Sequence, residues 1–278
     1  MTQPAHPRAL LARWGLRPRK RYGQNFLLDF GAALRIARLC VGGDARPRVL
    51  EIGAGTGSLT QALLDCGADV TAIEIDSDLV ALLRSRDELR DAAVVEADAL
   101  TFDYAQWSSG GAWRVAGNLP YNVATPLIVG LAEMAAGPQS LTVMVQNDVA
   151  DRLIAKSGTP AYGSLSVAVQ YAMHVERAMT LHRNAFYPAP KVTSAVVHMV
   201  RREQPAVAPR DLALFRKVVR AAFAYRRKTL ANSLALALDM PHERTARAVA
   251  ASNLAPELRG ERLDLTDFAR LADALADG

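Results

Sequence analysis

Five short apolar runs rich in β-branched residues, at 48–52, 69–73, 92–95, 113–116 and 141–145, recur with helix-patterned segments between them. That alternation leaves few architectures open, because strands joined by helical crossovers pair in parallel and need helices to cover the sheet. The intervening helices fit at 58–65, 77–84, 125–136 and 148–155, and Asp29 is placed to cap an earlier helix running to Leu39 and stopping at Gly42-Gly43. A further helical pattern at 164–171 precedes two strand-like runs, 175–181 and 194–201, whose closeness in sequence favours an antiparallel pair at the sheet edge. Past Glu203-Gln204-Pro205 the β signal ends and short helical patterns take over. The expected fold class is therefore α/β: a seven-stranded, mostly parallel sheet with an antiparallel edge strand, plus a small C-terminal all-helical domain. The expected division is a basic N-terminal arm at 1–22, a main domain at 23–203 and a helical domain at 204–278.

Where the first strand turns into the first crossover helix the chain reads Glu51-Ile52-Gly53-Ala54-Gly55-Thr56-Gly57, and Glu74 ends the second strand. Glycines there let the backbone approach a ligand, and an acid about twenty residues on can hydrogen-bond a ribose. A dinucleotide fingerprint GxGxxG needs glycine at position 58, which is Ser58; the third glycine is Gly57. The GxGxG spelling suits an S-adenosylmethionine site better, since no pyrophosphate has to be seated at the helix terminus. Asp98 follows the third strand and Asn118 closes the fourth, although Asp98 also fits a plain turn or cap. Ligands of open parallel sheets bind beyond the carboxyl ends of the strands, so Gly53, Gly55, Glu74, Asp98 and Asn118 would converge on one crevice.

Asn118-Leu119-Pro120-Tyr121 gathers a carboxamide, constrained carbonyls and an aromatic face. Pro120 has a fixed φ and pushes Leu119 towards an extended conformation, so carbonyls there can point outward. Such a cluster can accept hydrogen bonds from an exocyclic amine while the ring of Tyr121 stacks on the base. Read alone, it is also an ordinary proline turn after a strand.

The net charge of +5 is unevenly placed. Arg8, Arg13, Arg17, Arg19, Lys20 and Arg21 precede the first acid, Asp29, and Arg210, Arg216, Lys217, Arg220, Arg226, Arg227 and Lys228 stand against Asp211 alone. A helix over 211–224, if prolonged, would put Arg216, Arg220 and Arg227 on one face. Two such segments suit a polyanionic partner, although charge runs are also common on solvated helix faces. The basic start lacks the apolar centre of a signal peptide, and its short length and lack of serine count against a transit peptide. No apolar run is long enough to span a bilayer. Two cysteines, with neither CxxC nor HExxH among the five histidines, indicate no disulfide framework and no common zinc site; a reducing cytoplasm is the expected setting.

Eight ordered segments together resemble the ribosomal RNA adenine dimethyltransferases: RKRYGQNFLLD from Arg19, EIGAGTGSLT from Glu51, AIEID from Ala72, EADAL from Glu96, GNLPYNVATPL from Gly117, AYGSLSVAVQY from Ala161, NAFYPAPKVTSAVV from Asn184 and FAYRRKTLANSL from Phe223. The resemblance implies a Rossmann-like class I methyltransferase fold using S-adenosylmethionine, with Asn25, Leu27, Gly53, Glu74, Asp98 and Asn118 at the cofactor. It further implies that Tyr121 and Phe186 face a target adenine, that the partner is small-subunit ribosomal RNA, and that the chain is a monomer without a metal. Arg19, Lys20, Arg21, Arg226, Arg227 and Lys228 are the expected phosphate contacts. Ala54 stands where the family usually has proline, and Tyr225 where glutamine is common. A DNA adenine methyltransferase is the nearest alternative, but the usual DNA form has a second proline where this chain has Leu119. A binding-only assembly factor is the third reading, and the intact glycine loop and acids argue against it.

Overall fold

The computed structural model describes residues 6–109, 111–120 and 123–277. The strands are β1 (Phe26–Leu27), β2 (Arg48–Ile52), β3 (Asp69–Glu74), β4 (Ala93–Glu96), β5 (Arg114–Asn118), β6 (Ser140–Gln146), β7 (Met173–Leu181), β8 (Phe186–Tyr187) and β9 (Ser194–Arg201). Seven of them form one sheet in the order β4-β3-β2-β5-β6-β9-β7. The strands β4, β3, β2, β5 and β6 run parallel, and β9 lies antiparallel to β6, with Ser140 opposite Val200 and Gln146 opposite Ser194. This is the expected sheet, with strand bounds shifted by one or two residues.

The order places the switch point between β2 and β5, since the chain builds outward from β2 through β3 and β4 before crossing to β5. A crevice opens at such a point beyond the strand ends. The helix Phe30–Val41 starts on Asp29, whose carboxylate accepts the N–H of Ala32 at 2.9 Å, a cap worth about 1 kcal/mol. It stops at Gly42, where φ is +59°. Its Ala33, Ile36, Ala37 and Cys40 join Val49, Val70, Met144 and Val196 of the sheet in one core.

Two compact units divide the chain. One reaches Ala150 and resumes over Val175–Arg201; the other combines Asp151–His174 with the residues from Arg202 onward. This differs from the division expected at 23 and 204. The basic arm belongs to the first unit, because the helix Pro7–Arg13 buries Leu11 with Phe26 and Leu79. Residues 151–174 group with the C-terminal helices, because Ala155, Tyr162 and Val167 share the core of Phe215, Leu234, Val249 and Phe268.

In that second unit the helix Leu212–Ala224 is capped by Asp211, which accepts from Leu214 N at 3.0 Å. It ends before Arg226, so Arg226, Arg227 and Lys228 occupy an exposed turn, and Arg227 does not extend a helical basic stripe through Arg216 and Arg220. Ser233 explains the stop. Its hydroxyl donates to Ala221 O at 2.7 Å and accepts from Tyr225 N at 3.3 Å, so it takes over groups at the helix end.

Candidate functional site

Beyond the strand ends of the first unit lies a cavity of about 330 Å³. Its lining includes all seven residues expected at the cofactor: Asn25, Leu27, Gly53, Gly55, Glu74, Asp98 and Asn118. Leu119 and Pro120 line it as well. The sheet order brings them together, since β4, β3, β2 and β5 are neighbours and each delivers one terminus to the same rim.

The glycine turn is held from the second strand. Gly53 and Gly55 have φ of +75° and +59°, and a side chain at Gly55 would come within 3.0 Å of the Phe26 ring. Gly53 N–H donates to Ile73 O at 2.9 Å and Gly55 N–H donates to Glu74 Oε2 at 2.9 Å. Glu74 Oε1 accepts from Ile75 N and Asp76 N at 3.0 and 3.1 Å. Three N–H groups thus orient a carboxylate that is 6 % exposed, and Oε2, with one donor, keeps a lone pair for a ligand hydroxyl. Burial nevertheless raises the Glu74 carboxyl above its ordinary value, against those three bonds.

Asp98 is exposed, and its Oδ1 accepts from Leu100 N at 2.9 Å, the turn role open to it from sequence; its other oxygen can still meet a ligand. Ile75 and Leu100 also line the cavity while 41 % and 50 % exposed, apolar surface suited to a flat base. Spacing patterns gave no sign of either residue; only Ile75, directly after the strand-ending Glu74, had a position that could have marked it.

Asn118 is the best-defined polar group of the acceptor half. Its Nδ2 donates to Asn25 O at 2.7 Å, and Asn25 Nδ2 donates to Gly23 O at 3.0 Å. The amide nitrogen is committed, which leaves Oδ1 as an acceptor at the cavity. Pro120 O accepts from Val123 N and Ala124 N, both at 3.0 Å, and so starts the helix Ala124–Glu133. Leu119 N–H donates to Met144 O at 3.1 Å, while among the described residues the Leu119 carbonyl takes no N–H. Of the two carbonyls flanking the proline ring, the Leu119 carbonyl is the one that stays without an N–H donor among the described residues.

Tyr121 lies outside the described residues. Phe186 is 3 % exposed, does not line the cavity, and packs in the core with Leu27, opposite which it pairs in the β1–β8 ribbon. The direct contact with a base implied by the family resemblance is therefore not the contact this structure displays. Two-residue strands carry no periodicity, which is why this ribbon was not legible beforehand.

Arg19 also differs from expectation. Its guanidinium donates to Asp76 Oδ1 at 2.6 Å and to Asp78 Oδ2, so two acids hold it in place of phosphates. Gln24 closes the ring, accepting from Arg19 N at 2.7 Å and donating to Asp76 Oδ2 at 2.9 Å. Lys20 and Arg21 remain exposed, with Arg21 at the cavity and its guanidinium 4.6 Å from the Tyr22 ring centre. Arg226, Arg227 and Lys228 are exposed in the second unit, where Arg226 donates to Pro160 O at 3.3 Å. Tyr225 is 45 % exposed, and Ala54 is buried in the core of the glycine turn.

Glu51 sits under the turn at 1 % exposure with the Thr60 hydroxyl donating to Oε2 at 2.5 Å. Burial lifts its carboxyl from 4.5 to about 7; the Thr60 bond opposes this and the charge of Glu74 adds to it. A raised folded value means that this group's contribution to stability is complete below 4.5 and is lost as pH rises through about 7. The loss is about 3 kcal/mol once Glu51 is fully ionised. Chemical denaturation of Glu51→Gln should show a markedly flatter decline in stability from mildly acid to mildly alkaline pH than the unmodified chain. Equal declines would mean that Glu51 ionises normally in the fold.

An open, doubly wound sheet with a glycine turn and its acid at the switch point, and an Asn-Leu-Pro turn on the next strand, defines a Rossmann-like class I methyltransferase. Residues 15–277 match the family model described as Ribosomal RNA adenine dimethylase, and the chain belongs to that family. Curated relatives called Ribosomal RNA small subunit methyltransferase A include one from Hahella chejuensis, 43% identical over 95% of this chain and 94% of its own length. Another, from Pseudomonas aeruginosa, is 43% identical over 94% of this chain and 96% of its own. Among solved structures, a dimethyladenosine transferase from Plasmodium falciparum superposes with a TM-score of 0.72 at 25% identity, covering 88% of this chain and 95% of that one. The 23S rRNA methyltransferase ErmE gives 0.67 at 27% identity, covering 91% and 100%. Among the described residues no helix is long and apolar enough to cross a membrane, and no group of three or more His, Cys, Asp or Glu is placed to hold a metal ion.

Proposed function

We propose that this protein transfers methyl groups from S-adenosylmethionine to the N6 amines of two adjacent adenosines in a hairpin of small-subunit ribosomal RNA. The product is N6,N6-dimethyladenosine, made in the cytoplasm as a step of small-subunit maturation. The observation that carries this reading is the Asn118 carboxamide, fixed by Asn25 O at 2.7 Å with its oxygen left as an acceptor on the cavity that the glycine turn also lines. Membership in the rRNA adenine dimethylase family supports the substrate, and the 43% identity to small-subunit enzymes exceeds the 27% to ErmE.

The cavity suits the cofactor on three counts: glycines at positive φ, a lone pair of Glu74 Oε2 for a ribose hydroxyl, and apolar Ile75 and Leu100 for adenine. When bound, S-adenosylmethionine supplies a methyl group on a sulfonium, which is already electrophilic. What the chain must supply is orientation of an amine whose lone pair is delocalised into the adenine ring. In the first transfer Asn118 Oδ1 and Leu119 O accept the two amine hydrogens, and in the second one of them accepts the single hydrogen that remains, turning the lone pair out of the ring plane as positive charge develops on nitrogen. No protein nucleophile takes part, and the proton leaves to water after transfer. Tyr121 is assigned to stack on the base, a contribution of about 1–3 kcal/mol. Phe186 supports Leu27 by pairing with it across the ribbon and sharing its core.

Lys20, Arg21, Arg226, Arg227 and Lys228 are assigned to phosphates, with shape rather than sequence selecting the hairpin. Incubation with labelled S-adenosylmethionine and unmethylated small subunits, large subunits, naked RNA or DNA should place dimethyladenosine in small-subunit RNA alone. Label in large subunits or DNA would overturn the assignment.

A further inference from the structure

We infer that the loop between β7 and β9 carries a second phosphate site, which grips the RNA backbone a few nucleotides from the target adenosine. This rests on the RNA methyltransferase reading and adds a contact that the basic segments at 19–21 and 226–228 do not include. An open depression of about 680 Å³ is lined by His182, Arg183, Asn184, Pro190, Lys191 and Thr193, together with Ala189. No carboxylate lines it. Its polar side chains are two cations, an imidazole, an amide and a hydroxyl, all able to donate to an oxyanion.

The two cations flank the depression on a framework that is fixed before any ligand arrives. Arg183 opens the single turn Arg183–Ala185, and both Arg183 and Lys191 are exposed. Between them the loop is anchored by Phe186, 3 % exposed in the core, and by Leu28 N–H donating to Ala185 O at 2.8 Å. At its far end Thr193 O accepts from Asn147 N at 3.0 Å, and Pro190 is buried. Rigid elements that hold flexible cations near one spot reduce the ordering cost of binding a phosphate.

Reach from the reaction site follows from chain geometry. Leu27 lines the cofactor cavity and pairs with Phe186 across the β1–β8 ribbon. Paired Cα atoms in an antiparallel ribbon are about 5 Å apart. Arg183 is three residues before Phe186, so its Cα lies within about 11 Å of that of Phe186. An RNA strand whose adenosine enters the cavity must pass within arginine and lysine reach of this depression for the contact to form, and the bound on distance permits it.

The test uses the full chain with Arg183→Ala and Lys191→Ala combined, and separately Lys191→Ala and Lys191→Glu as single variants. RNA affinity is measured across a salt series, with inorganic phosphate as a competitor and cofactor affinity as the check on folding. The double variant should weaken RNA binding about tenfold or more at low salt and reduce the slope of log K against log salt by about 1.5, two contacts at roughly 0.7–0.9 each. Lys191→Glu alone should weaken binding further than Lys191→Ala. Inorganic phosphate should compete only weakly, since the site holds a chain of phosphates and not a free ion. An unchanged slope in a chain that still binds and methylates RNA overturns this inference alone. Failure of the unmodified chain to bind RNA overturns it together with the reading on which it rests, and tight competition by free phosphate would make the site one for a small anion.

Discussion

Asn118→Ala should lower methyl transfer by at least about 10²–10³-fold while leaving RNA affinity within a few-fold of the unmodified chain. The magnitude follows from the kind of interaction lost. A pre-oriented partner that strengthens as charge develops is worth about 10²–10³ in kcat, whereas a uniform binding contact shifts KM and leaves kcat alone. Asn118 is pre-oriented: its amide nitrogen is held by Asn25 O, and its position follows from β5 ending beside β2 and β6. Truncation to alanine removes Oδ1 and leaves the amine with the Leu119 carbonyl alone. Asn118→Asp should not rescue, because it keeps an acceptor but places a second oxygen against the Asn25 carbonyl at the 2.7 Å now spanned by a hydrogen bond. Single-turnover transfer to small-subunit RNA, with separate RNA binding, is the measurement. Transfer within tenfold of normal in Asn118→Ala would remove the amine-orienting role.

Most of the sheet was legible because its parallel strands are bounded by glycine, acid or proline and separated by a helical period. The strand ends at Ile52, Glu74, Glu96 and Asn118 were fixed to within a residue or two, and the expected crevice residues all reached one cavity. This worked because a parallel sheet with ordered crossovers leaves its C-terminal ends on one rim, so sequence order constrains space. What failed were contacts between segments distant in sequence. Nothing local in Arg19 distinguishes a phosphate contact from a partner of Asp76, 57 residues on. Nothing local in Phe186 announces pairing with Leu27. Charge runs identify cations but not what they face; the helix over 211–224 was anticipated, while its stop before Arg226 depends on the hydroxyl of Ser233, a residue outside the run.

Arg19→Ala should reduce kcat by about 10- to 100-fold and leave the salt dependence of RNA binding unchanged, opposite to what a phosphate contact would give. The guanidinium bridges Asp76 and Asp78, and Gln24 joins the ring through Arg19 N and Asp76 Oδ2. That ring pins the segment from which residues 21–25 line the cavity, and the Asn25 carbonyl at its end fixes Asn118. Loosening it lets Asn118 drift, and a displacement of about 1 Å at a reacting group costs as much as 10²-fold. Asp76 is 3 % exposed and its N–H is bound to Glu74 Oε1, so the same loosening reaches the cofactor side and should raise the KM for S-adenosylmethionine. Arg19→Lys discriminates the roles. A lysine ammonium is a point charge and cannot span two carboxylates as a planar fork does, so Lys should restore little transfer. A phosphate contact, in contrast, would tolerate lysine and would lower the salt slope by nearly one when removed. Full recovery in Arg19→Lys, or a reduced slope in Arg19→Ala, would return Arg19 to the RNA interface.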